Sequence, residues 1–92
     1  MRFIDPAVIA EQPPGGFRAS FPDLMMCEAE GETMVEVLRN ATAAAYDWID
    51  LELQEEEPDL PPASDHADIA LLENECIRDI LVIYRMHQGW DE

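Results

Sequence analysis

Apolar and polar residues alternate over Phe17-Arg18-Ala19-Ser20-Phe21, the period of a strand with one face buried. Pro22-Asp23 ends that pattern: proline has no N–H for a ladder, and an aspartate can turn the chain through its own carboxylate. Met25 to Ala29 reads as a further short strand. Upstream, Arg2 to Ala10 carries Phe3-Ile4 and Val8-Ile9-Ala10 around Asp5-Pro6, a first strand with its proline near an edge or bulge. Its hairpin partner is Phe17 to Phe21, joined through Glu11-Gln12-Pro13-Pro14-Gly15-Gly16, a loop too long for a two-residue turn.

From Met34 the period changes. Met34, Val37, Leu38, Ala41, Ala45 and Trp48 recur at intervals of three and four, an apolar stripe that predicts a helix to about Glu56 covering one sheet face. Thr33 and Glu36 form a capping-box pair, with Thr33 accepting from the Glu36 N–H and Glu36 reaching back to the Thr33 N–H, worth about 1 kcal/mol. Ala41 to Ala45 lacks bulk, so a neighbour can approach closely. Tyr46, Trp48, Ile49, Leu51 and Leu53 spread apolar surface around the helix end, and the chain's own later segments are expected to cover it. Glu55-Glu56-Glu57 oppose the negative end of the helix dipole, and Pro58 stops the helix. Pro58 to Asp68 is an aperiodic connector. Ile69 to Cys76 reads either as a helical turn or as part of the crossing. Asp79 to Met86 is β-branched and aromatic, apolar on both faces, and so reads as a central or doubly covered strand. A helix from Ala67 to Met86, with Ile69, Leu72, Cys76, Ile80 and Ile83 on one stripe, is the alternative.

Gly16-Phe17, Phe21-Pro22-Asp23-Leu24, Cys27, Gly31-Glu32-Thr33, an Ala-rich helix with Asn40-Ala41, and the exit Leu60-Pro61-Pro62 together resemble the N-terminal domain of HicB-type antitoxins. Met25-Met26 stands where many members have Pro-Gly. The resemblance spans nearly the whole chain. It implies an α+β fold of the partial RNase H-like kind, β-β-β-α-β: three antiparallel strands, one long helix and a returning strand, which favours the strand reading of Asp79 to Met86. It also implies a protein that neutralises a small HicA-like toxin ribonuclease. Residues 1–92 are expected to form one such domain, with no helix-turn-helix or ribbon-helix-helix DNA-binding domain after it.

Charge adds the chemistry. Against 21 acidic residues the chain sets five Arg and no Lys, a formal net charge of −16. Phosphate neutralisation needs a dense basic face, so direct nucleic-acid binding is not expected. An acidic surface suits a basic protein partner by speeding encounter, and it also keeps a small protein soluble. Cys27 and Cys76 have no metal-ligand or redox spacing, and the N-terminal residues lack the basic start of an export signal, which reads as a cytoplasmic protein with reduced thiols. No apolar run reaches membrane-spanning length.

An RNase H-like fold raises two-metal nuclease chemistry, which needs several carboxylates converging on paired ions. Asp5, Asp23, Glu28 and Glu30 are the strand candidates, but their order is unconvincing and five dispersed arginines give a polyanion little to rest on. His66 and His87 lack a nucleophile at motif spacing. No catalytic residue, metal site or cofactor is therefore expected, and the chain is read as a binding protein rather than an enzyme. The residues expected to meet the toxin are Asp23, Met25, Met26, Glu28 and Glu30, adaptable methionines beside steering carboxylates. A stand-alone oligomeric adaptor of the same fold, without a cognate toxin, is the other reading. Pro6 and Pro22 on edge strands would discourage open-ended pairing, and a small core favours a closed homodimer.

Overall fold

The two N-terminal strands form where the alternation places them, β1 over Arg2–Glu11 and β2 over Phe17–Ser20, as an antiparallel hairpin. The computed structural model describes residues 1–85; the expectations on Met86, His87 and the Gly89-Trp90-Asp91-Glu92 tail lie outside the described residues. Strand β3 (Glu28–Gly31), helix α1 (Met34–Leu53), a 3₁₀ turn (His66–Asp68) and strand β4 (Glu75–Ile83) follow. The strands make one antiparallel sheet in the order β3-β2-β1-β4, with α1 on one face. The protein is thus α+β with a helix between the third strand and the returning fourth.

Backbone phase explains the prolines. Gln12 N donates to Gly16 O, whereas Glu11 N donates to Asn74 O and Tyr84 N to Met1 O. Even-numbered residues of β1 therefore turn their peptide groups toward β2, and odd-numbered ones toward β4. One hydrogen-bonded pair beyond Val8 and Ser20, the same register would set Pro6 against Pro22, two residues without a donor, and the ladder stops there. Pro6 is not on an edge strand as expected, since β1 lies between β2 and β4. Its missing N–H falls on the side where β2 has already ended, so no ladder bond is lost.

The core forms where the odd-numbered face of β1 meets the helix. Ala7, Ile9, Ala19, Ile80 and Val82 from the sheet cluster with Val37, Ala41, Ala45 and Ile49, four apart on α1. Two alanines in that stripe permit close approach, and the helix start comes closer still. A Cβ on Gly31 would lie 2.4 Å from the Val37 nitrogen, so only glycine fits. Thr33 Oγ1 accepts from Glu36 N at 3.1 Å, as the cap predicts, but the Glu36 carboxylate takes the N–H of Glu32 at 2.9 Å rather than that of Thr33. The helix ends at Leu53 with Gln54 as cap, short of Glu56. Glu55 to Glu57 fall outside it, where they no longer face its last carbonyls.

The connector is anchored by two side-chain contacts. Asp23 accepts from the Ser64 N–H at 2.7 Å and from its hydroxyl at 2.5 Å, and His66 Nε2 meets Asp79 Oδ1 at 2.7 Å. Asp79 sits opposite Pro6 on the sheet face away from α1, so the connector crosses on that side, and Pro6 is buried although the helix cannot reach it. The sequence left two readings for the last segment, and the strand is the one that forms, starting earlier than expected at Glu75. It is neither central nor doubly covered. β4 is an edge strand, and on its outer face Leu81 and Ile83 stay 41% and 57% exposed beside Ile4 at 57%.

Candidate protein-binding face

Between β2 and β3 the chain makes a turn, not the strand expected over Met25 to Ala29, and only Glu28–Gly31 joins the ladder. Leu24 N donates to Phe21 O, Cys27 N to Leu24 O and Phe21 N to Cys27 O, at 3.0–3.2 Å. This winding sends every third side chain inward. Phe21, Leu24 and Cys27 are buried, while Met25 and Met26 stand 78% and 91% exposed. Met26 has a φ of 62°, a left-handed conformation that costs a non-glycine residue about 1–2 kcal/mol. Trp48, from the helix, clamps the turn by donating its indole N–H to Met25 O at 3.0 Å. Met25, Met26, Trp48 and Leu51 then line one shallow groove whose rim carries Glu52 and Glu55.

The predicted site residues divide among three places. Met25 and Met26 sit together in this groove. Glu28 and Glu30 lie on the sheet face away from the helix, paired in register with Ser20 and Arg18, and the Arg18 guanidinium donates to the Glu28 carboxylate. Asp23 is half-buried and occupied by Ser64, so its carboxylate holds the connector to the turn. Sequence reasoning missed the acidic rim, and it assigned Trp48 to the core stripe. The available signal was Leu51 and Glu55, which sit at helical spacing from Trp48 but off the Val37-Ala41-Ala45-Ile49 line.

Beneath the turn lie the buried titratable groups. Burial, and then the charge of Asp23, push the Asp5 carboxyl above its usual range. Desolvation, then Asp5, Asp47 and Glu28, push the Cys27 thiol up to about 11, leaving it protonated and unreactive at neutral pH. At the far end of the helix, Tyr84 donates its hydroxyl to Asp50 at 2.6 Å and tilts against Tyr46, with ring centroids 5.3 Å apart; the Asp50 hydrogen bond is the main cause raising that phenol to about 12. Among the described residues no group of three or more His, Cys, Asp or Glu side chains could hold a metal ion, and no helix is long and apolar enough to cross a membrane.

A four-stranded antiparallel sheet with one long helix, and an outward-facing methionine turn at its edge, defines a small α+β domain of the toxin–antitoxin class of folds. One similar structure is a chain of a toxin–antitoxin complex from Streptococcus pneumoniae, 21% identical, covering 90% of this chain and 70% of that one with a TM-score of 0.68. A second is a chain of a HicA3 and HicB3 toxin–antitoxin complex, 29% identical, covering 88% of this chain and 96% of that one with a TM-score of 0.64. The fold is HicB-like, of the antitoxin type. No protein-family model and no curated protein matches the sequence.

Proposed function

We propose that this chain is the antitoxin of a toxin–antitoxin module and that it acts by binding, without catalysis of its own. Its partner is a small, basic, HicA-like ribonuclease whose active site it occludes. The observation that carries this reading is the Met25-Met26 turn. It exposes two large flexible apolar side chains, one of them in a strained backbone conformation, beside Trp48, Leu51 and two carboxylates. Monomer surfaces rarely keep such groups together unless they are covered in a complex, and strain retained at an exposed position points to use. Methionine packs adaptably against an irregular partner, and a net charge of −16 steers a basic one. The neighbouring structures, both from toxin–antitoxin complexes, support the module role. The proposed setting is the cytoplasm, with the chain as a homodimer, and the sheet is read as a partial RNase H-like arrangement.

Asp23, Glu28 and Glu30 remain in the proposed interface with unequal parts. Glu28 and Glu30 supply charge from the open sheet face. Asp23 contributes by holding the turn that presents the methionines. The test is co-expression with the short basic ribonuclease encoded beside this chain, scoring growth rescue and co-purification. Rescue is expected for the native chain and lost in Met25→Ser/Met26→Gly, whose glycine relieves the left-handed backbone and keeps the fold stable. A folded double variant that rescues fully would remove the turn from the interface. A native chain that neither binds nor rescues would overturn the antitoxin reading in favour of an adaptor.

A further inference from the structure

The edge of the sheet formed by β4 carries a second surface, independent of the toxin reading. Because Tyr84 N bonds to Met1 O, the even-numbered residues of β4 face β1 and the odd-numbered ones turn their peptide groups outward. Ile77, Asp79, Leu81 and Ile83 thus present a row of N–H and C=O groups with no backbone partner among the described residues. Nothing blunts this edge in the usual ways: it has no proline, lysine or bulge, and it is the longest free edge of the sheet. Its sequence is apolar on both faces, the pattern of a strand with neighbours on both sides, yet Leu81, Ile83 and the adjoining Ile4 are exposed. The charge here is also unlike the rest of the molecule. Three of the five arginines, Arg2, Arg78 and Arg85, lie on β1, on β4 or just after it.

We infer that the occupant of this edge is a second copy of the chain, paired antiparallel to β4 about a two-fold axis at Ile80, so that two four-stranded sheets become one of eight strands. The register follows from chemistry. Outward-facing residues must pair with outward-facing residues, which leaves registers centred on Asp79, Ile80 or Leu81 as those with extensive overlap. Centring on Asp79 sets that carboxylate against itself, and centring on Leu81 sets Arg85 against Ile77 and Asp79 against Ile83. Centring on Ile80 places Ile77 opposite Ile83 of the second copy, Asp79 opposite Leu81, and Glu75 opposite Arg85, an apolar pair and an ion pair repeated by symmetry. The exposed faces of Ile4, Leu81 and Ile83 then continue into the same residues of the second copy as one apolar stripe.

Sedimentation equilibrium of the full chain tests this directly. The expected species has twice the 10.4 kDa chain mass. Arg85→Glu is expected to weaken the dimer about tenfold, and adding Glu75→Arg to restore it. In a Cys76→Ser background, Ile77→Cys mixed with Ile83→Cys should form an interchain disulfide, since hydrogen-bonded antiparallel pairs lie at about 5.5 Å between Cα atoms. Leu81→Cys alone should not cross-link. A monomer at tens of micromolar, indifference to both charge changes, or self-linking of Leu81→Cys would each overturn the inference.

Discussion

Single residues in this protein are set by which side of a strand or turn they fall on. Cys27 shows it: the third-residue rhythm of the turn carries its thiol inward, where desolvation holds it at about 11 against 9.0 in an unfolded chain. Between those values the unfolded chain loses its proton first, so it binds fewer protons than the native state and stability falls as pH rises. The loss is expected to begin near pH 9 and be complete above pH 11. It amounts to about 1–2 kcal/mol, below the full two-unit value because Asp47 and Glu28 act partly through solvent. Denaturant unfolding across that range, with Cys27→Ala as reference, should show a steeper decline for the native chain. The core position of Cys27 was legible in the sequence; the exposure of Met25 and Met26 was foreseen too, but not their place in a turn. Nothing in a run of Met25-Met26-Cys27 marks a left-handed residue, because the demand for it comes from the backbone bonds between Phe21, Leu24 and Cys27.

Elements were legible where periodicity and local chemistry agree. The β1–β2 hairpin and the Thr33 cap read directly from alternation and from Thr-x-x-Glu, and both form. The far end of α1 did not, since Trp48 and Leu51 serve a groove rather than the core stripe and the glutamates after them have no helical role. Gly31 marks the tightest contact between elements. Gly31→Ala would drive a methyl into the Val37 backbone at 2.4 Å, and backbone cannot rotate aside as a side chain can. An expected cost of about 3 kcal/mol, the upper end for overpacking, should appear as a lowered denaturation midpoint with an unchanged slope. Gly15→Ala, with nothing within 4 Å of the added carbon, serves as the neutral control.

For the whole molecule, sequence reached the fold class and stopped at the arrangement. The Asp23–Ser64 and His66–Asp79 contacts join residues far apart in the chain, and nothing local announces them. That β4 lies at an edge was equally hidden, because its apolar pattern is that of an interior strand. Overall charge acts at this scale too. If a basic partner is drawn by a net charge of −16, raising salt toward 1 M, where screening acts within about 3 Å, should slow association at least tenfold and leave dissociation nearly unchanged. Stopped-flow mixing separates the two rates. The facing prolines of β1 and β2 have a consequence for how the chain begins its life. A hairpin that slips by two residues keeps its faces correct, and so is the error that hydrophobic patterning alone does not penalise. Here either slip brings Pro22 opposite Val8 or Pro6 opposite Ser20, in positions that require a donor neither proline has. The first hairpin to leave the ribosome therefore has one alignment it can complete, and its two prolines proofread that alignment before the helix exists to enforce it.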